Sequence, residues 1–188
     1  PFSLCRWIGE HGGSGRMDKF STAYAFQNQR QDWYDIGKYH PGFGVAVQRS
    51  FFTACGGFYG CGILGGGDTA IMLAAPGGID LPHFYATHAP AAMVEPRRAW
   101  GHRVAEWSGG TLGSLPFDVD HLWHGAQHQR QYAERYQLVA HHDPATDFTT
   151  RPDGLKIWSS YAMTHKAIMV QSVINYFPTR HEDGISPC

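Results

Sequence analysis

Residues 56–75 read Gly56-Gly57-Phe58-Tyr59-Gly60-Cys61-Gly62-Ile63-Leu64-Gly65-Gly66-Gly67-Asp68-Thr69-Ala70-Ile71-Met72-Leu73-Ala74-Ala75, a glycine-dense loop that runs into a block of helix formers. Thr69 to Ala75 predicts a helix, and Pro76-Gly77-Gly78 stops it. Asp68 stands at the N-cap position. Three consecutive glycines leave backbone N–H groups bare, so a planar or phosphorylated ligand can lie against them. Asp68 then has two readings. It either caps the helix by accepting backbone N–H bonds, or it faces the ligand space and takes a proton from a hydroxyl nucleophile.

Upstream, Tyr39-His40-Pro41-Gly42-Phe43-Gly44-Val45-Ala46-Val47-Gln48-Arg49 turns at Pro-Gly and then reads as a short strand, with Phe43, Val45 and Val47 alternating with smaller residues. Arg49 to Ala54 reads as a helical turn stopped by Gly56-Gly57. Residues 9–16 are loop by composition, and residues 17–39 carry no clear element, so 1–38 is expected to be loop-rich. Downstream, residues 76–97 form a connection rich in Pro and Ala. Arg98 to Trp107 predicts a short amphipathic helix closing at Gly109-Gly110. Thr111 to Phe117 reads as a strand. A polar helix is expected from Gln127 to about His141, broken at Asp143-Pro144, and a last helix from Tyr161 to Tyr176. Residues 178–188 read as loop. The expectation is an α/β chain, a mixed sheet with flanking helices, in a single domain spanning 1–188.

Composition narrows the function classes. Hydrophobic residues are 43% and charged residues 16%, enough for a core and unlike a disordered chain. Fifteen Lys and Arg oppose sixteen Asp and Glu, for a net charge of -1. A general nucleic-acid binder or an anionic-membrane binder needs a basic surplus, so neither is expected. No apolar run reaches the ~20 residues that span a bilayer. Cys5, Cys55, Cys61 and Cys188 lack Cys-x-x-Cys spacing. Cys55 and Cys61 can pair only if the turn between them brings them close; free thiols in a reducing, cytoplasmic setting are the expectation. The first residues have neither an initiator Met nor a signal-peptide layout, so the chain is expected to begin inside a longer protein. Twelve His residues point toward metal or acid–base chemistry.

Those histidines fall in motifs. In His121-Leu122-Trp123-His124-Gly125, an extended backbone sends His121 and Trp123 one way and Leu122 and His124 the other. One imidazole with carboxylates suits Mn²⁺ or Mg²⁺, whereas two or three suit Zn²⁺. A packed Trp flanked by ordinary histidines is the competing reading, and no His-Glu-x-x-His supports a zinc hydrolase. Asp118-Val119-Asp120 has strand spacing, so both carboxylates can meet one cation. Arg130 and Arg135, near Tyr132 and Tyr136, either meet phosphates bidentately or form a solvated face with Glu134. His141-His142 reads as a solvated helix end. His40 beside Pro-Gly can be structural or functional.

In this order the segments resemble the second half of GT-A glycosyltransferases, in particular bacterial and phage glycosyltransferase-like proteins. Pro41-Gly42-Phe43-Gly44-Val45-Ala46, Gly56-Gly57-Phe58-Tyr59 and Ile63-Leu64-Gly65-Gly66-Gly67-Asp68 are similar to that family's strand and glycine loop. His121-Leu122-Trp123-His124-Gly125, Arg130-x-Tyr132-x-x-Arg135 and Asp143-Pro144-x-x-Asp147 resemble its closing signature. The likeness implies a partial GT-A-like fold that lacks most of the Rossmann-like half, with a separate chain or segment supplying nucleotide binding. It implies transfer of a sugar from a nucleoside-diphosphate sugar to a glycan or other hydroxyl acceptor, assisted by Mn²⁺ or Mg²⁺. Asp68 becomes the base facing the acceptor hydroxyl, and His124, with His121, the metal ligands. Gly65, Gly66, Gly67, Trp123, His40 and Arg130 become donor- and acceptor-binding residues. The family's Asp-x-Asp motif precedes the glycine loop, whereas Asp118 and Asp120 follow it and do not correspond to it. The alternative is a non-catalytic carbohydrate-binding or assembly module of the same descent.

Overall fold

The computed structural model describes residues 1–8, 18–81, 84, 90–123, 127–132 and 134–180. Leu4–Trp7 (β1) is the middle strand of a three-stranded sheet, with Lys19–Phe20 (β2) antiparallel on one side and Val119–His121 (β3) parallel on the other. The register pairs Cys5 with Val119, Arg6 with Asp120 and Trp7 with His121. Side chains alternate across a strand, so Cys5, Trp7, Val119 and His121 share one face and Arg6 and Asp120 the other. Two of the three strands thus come from residues 1–38, the region expected to be loop-rich. Each is too short to show a period in sequence.

The sheet belongs to a first unit, residues 1–87 and 97–123. Its helices are Thr22–Gln27 (α1), Arg49–Cys55 (α2), Gly67–Ala74 (α3) and the part from Arg97 onward of Ala91–Ser108 (α4). Ser21 caps α1, its hydroxyl accepting from the Tyr24 N–H at 3.0 Å. Gly56 ends α2 in the left-handed conformation, at φ 75°, as the Gly-Gly stop predicts. The core of this unit gathers Phe2, Phe51, Ile71, Met72, Leu73, Phe84, Trp100 and Val104.

Several expected elements differ. Residues 43–47 and 111–117 form no strand. Phe43 breaks the first segment with a left-handed backbone at φ 78°, and the second meets the N-terminus only through single bonds, from the Leu115 N–H to Pro1 O and from the Ser3 N–H to Phe117 O. α4 begins at Ala91, well before Arg98, and carries Pro96 inside it. Proline inside a helix costs about 3 kcal/mol, but Met93, Arg97, Trp100 and Val104 recur at helical spacing and are all buried. That stripe offsets the penalty.

A second unit comprises residues 88–96 and 124–188. The polar run after residue 126 forms two 3-10 segments, Gln127–Arg130 and Glu134–Val139, in place of one α-helix. Too few apolar residues line one side to hold a long helix down. Asp143-Pro144 does not merely break the chain. Asp143 caps Pro144–Asp147 (α5), accepting from the Ala145 N–H at 2.9 Å. Phe148–Thr150 (β4) and Lys156–Trp158 (β5) make a hairpin around Arg151-Pro152-Asp153-Gly154, with Gly154 at φ 84°. Ser160–His165 (α6) and Ala167–Tyr176 (α7) replace the single expected helix. The break falls at Lys166, at φ -127°.

Candidate functional site

Asp68 is exposed in the first turn of α3. It is not the N-cap: Gly66, at φ 85° and ψ 0°, takes that place, and it offers no side-chain hydrogen bond. Gly65 is also left-handed, at φ 106°. Two consecutive residues in that region explain the glycines, since a Cβ there is strained. The Asp68 Oδ1 accepts from its neighbour, the Thr69 N–H, at 2.8 Å. The carboxylate therefore follows a stretch of bare backbone, as the sequence suggested, but two positions deeper into the helix.

The loop is tied down by α4. The Trp100 indole N–H donates to the Gly57 carbonyl at 3.0 Å. Arg97 is 4% exposed, and its Nη2 donates to the Gly66 carbonyl at 3.5 Å. Its guanidinium lies over the rings of Phe84 and Tyr59 at 5.1 and 5.5 Å. Sequence reading missed Arg97, although its place on the apolar stripe of α4 marks it as inward-facing. A buried cation here adds positive potential beneath the glycines, where the N-terminus of α3 already does so.

His40 stands beside Asp68. Its backbone is held on both sides, the His40 N–H donating to Phe20 O at 2.8 Å and the His40 carbonyl accepting from the Thr22 N–H at 3.0 Å. Its Nδ1 accepts from the Gly42 N–H at 3.0 Å, so the ring is a neutral imidazole with its proton on Nε2. Burial drives the His40 pKa down to about 4. The Asp68 charge opposes this, while His121 and Lys19 reinforce it. The ring stacks on Phe43 at 4.1 Å between centroids. Phe43 is 47% exposed and sits at φ 78°, an outlier for a bulky side chain.

His121 lies on the same aromatic cluster, 4.1 Å from the Trp7 ring and 4.3 Å from Phe43. Trp123 follows, 36% exposed. The structure thus brings Asp68, His40 and His121 toward one aromatic-lined corner of the first unit, with Gly65–Gly67 beside Asp68. Of the metal ligands that the resemblance implies, His121 lies in this cluster. Asp118 and Asp120 do share a face, but the cation they meet is Arg6, at 2.5 and 3.7 Å. His121 is on the other face of the sheet. His124 lies outside the described residues. Among the described residues, no group of three His, Cys, Asp or Glu side chains is placed to hold a metal ion. Cys5 and Cys55 are buried free thiols.

Arg130 belongs to the second unit, where its Nη1 donates to the Tyr132 hydroxyl at 3.1 Å and its carbonyl accepts from Tyr176 at 2.8 Å. Arg135 lies over the Tyr132 and Tyr136 rings at 4.9 and 5.1 Å. His142 corrects another expectation: it is 1% exposed, far from a solvated helix end. Its Nδ1–H donates to Asp147 Oδ2 at 3.0 Å. Asp147 is fully buried and also accepts from Lys166 Nζ at 2.7 Å and from the Asp143 N–H at 2.8 Å. Burial pushes the Asp147 carboxyl up, but hydrogen bonds from Lys166, the Asp143 N–H, His142 and Thr146 outweigh it and hold the group below 3.8. This buried network is structural, since no ligand can reach it. His142-Asp143-Pro144 gave no sign of it because Lys166 joins from the break between α6 and α7.

No known protein family matches the chain, and neither a curated protein nor a solved structure does.

Proposed function

We propose that the protein transfers a sugar from a nucleoside-diphosphate sugar to a hydroxyl acceptor, with Asp68 as the acceptor-side base. One observation carries this reading: an exposed carboxylate follows bare glycine backbone at the start of α3, beside a His40 ring that stays neutral. A base must be open to its substrate, and Asp68 is exposed. The glycines let a bulky, hydroxyl-rich ligand approach backbone N–H groups without meeting side chains. Arg97 and the N-terminus of α3 favour negative charge above the loop, which suits a diphosphate leaving group.

His40 donates from Nε2 to an acceptor or donor oxygen, and the exposed faces of Phe43 and Trp123 suit the C–H faces of a sugar ring. A divalent cation, Mn²⁺ or Mg²⁺, completes the proposal with His124 as its ligand. When bound it neutralises the diphosphate. The nucleotide-binding half is proposed to come from another segment or chain.

Asp68→Asn tests the reading. Transfer should fall by about 10²-fold or more, while calorimetric binding of the donor in the presence of Mn²⁺ stays nearly unchanged. Equal loss of binding and transfer would make Asp68 structural. Heat with free glycans, and none with any nucleotide sugar, would instead favour the non-catalytic carbohydrate-binding module.

A further inference from the structure

Gly42 is buried, and a methyl built on its Cα would lie 2.7 Å from Asp68 Oδ2 and 3.2 Å from His40 Cε1. A Cβ is not found that close to an oxygen. The absent side chain is therefore what lets the carboxylate and the imidazole occupy one small space. Backbone conformation does not call for glycine here. The left-handed glycines of the described residues are Gly56, Gly57, Gly65, Gly66, Gly77, Gly109, Gly110 and Gly154, and Gly42 is not one of them. Space, and not φ, is what a side chain here would contest with Asp68 and His40.

Of the two neighbours, the His40 ring is the harder to move, and the exposed Asp68 carboxylate is the one a methyl would push aside. His40 is anchored through its backbone to Phe20 and Thr22, through Nδ1 to Gly42 itself, and through its ring to Phe43. Asp68 starts from the first turn of α3, and its Oδ1 accepts from the Thr69 N–H. The next residue, Phe43, holds a left-handed backbone at φ 78°. Such strain survives only where the surroundings over-determine it, and it gathers at functional sites.

We propose that Gly42 is a positioning residue, one that holds the Asp68 carboxylate against the edge of the His40 ring and so aims the acid toward its substrate. Only the last clause rests on the transferase reading. The juxtaposition itself has consequences that do not involve transfer. The Asp68 charge favours the protonated His40 ring, against burial and the charges of His121 and Lys19. Moving the carboxylate away must change how His40 titrates.

Two measurements on the whole chain decide the matter. The first is a double-mutant cycle by urea unfolding with Gly42→Ala, Asp68→Ala and the pair. Gly42→Ala should lower the folding equilibrium constant by about 3-fold more with Asp68 present than once Asp68 is Ala. If Gly42→Ala alone does not fold, folding of the double variant supports the proposal. Equal losses in both backgrounds, or failure of both variants to fold, overturn it.

The second is His40 titration followed by NMR. Asp68→Asn should move the midpoint to lower pH, and Gly42→Ala should move it the same way. An unchanged midpoint in a folded Gly42→Ala protein means that Gly42 positions nothing. Neither measurement needs a sugar donor. If Asp68→Asn leaves transfer intact, the base assignment falls while the Gly42 coupling stands, and the two failures are read separately.

Discussion

His40 makes stability depend on pH in a defined window. Its folded pKa of about 4 lies below the ordinary 6.5. Between those values the unfolded chain takes up a proton that the folded chain refuses. Stability is therefore complete above pH 6.5 and falls on acidification, by up to about 3 kcal/mol at pH 4. Urea unfolding at pH 7, 5.5 and 4.5 should show the slope, and His40→Gln should flatten it. Asp147 acts in a lower window. Its folded carboxyl titrates below 3.8, so its contribution is present above that value and is lost only as pH falls through the folded pKa. Asp147→Ala strands the Lys166 ammonium in a mostly buried site, at a cost of about 3–5 kcal/mol, measurable as a lower urea midpoint at pH 7. The two residues differ in how they could be read beforehand. His40 stands beside a Pro-Gly turn that already marked it for notice. The partners of Asp147 sit 5 and 19 positions away, and no local pattern joins them.

Helix ends were the most legible elements because their chemistry is local. Gly56-Gly57 and Gly109-Gly110 were read as stops, and all four glycines have positive φ. A Cβ on Gly56 would meet nothing within 4 Å, so Gly56→Ala isolates the backbone term. We expect a loss of about 1 kcal/mol, seen in urea unfolding, with Gly56→Asn losing less. Gly101 on α4 is a contrasting case. A Cβ there would sit 2.7 Å from the Phe84 ring, so Gly101→Ala overpacks the core and should destabilise by about 1–3 kcal/mol. Strands were the least legible. β2 has two residues and β3 three, and each is a strand only because β1 lies beside it. The hairpin turn Pro152-Asp153-Gly154 did carry a local signal, since Pro presets the turn and Gly accepts the left-handed position. α4 exceeded its expected start because a tertiary apolar stripe outweighed proline's local penalty.

The whole chain is nearly neutral, with a net charge of -1, and no helix among the described residues is long and apolar enough to cross a membrane. Association with nucleic acid depends on releasing counterions with a surplus of basic side chains. Fluorescence anisotropy with labelled DNA at about 150 mM salt should therefore show no general binding at protein concentrations of about 10 µM. Saturable, salt-sensitive binding would overturn that expectation. Composition, the mixed α/β class, the glycine-loop-to-helix transition and the helix stops were all determined by sequence alone, because each depends on neighbours within a few residues. Tertiary structure decided the rest. It set Arg6 between Asp118 and Asp120, buried Arg97 beneath the glycines, and locked His142, Asp147 and Lys166 together. It also brought His40 against Asp68 across Gly42. Such partners meet only when distant segments pack, and a linear pattern holds no record of which distant charge or ring will lie within 3–6 Å.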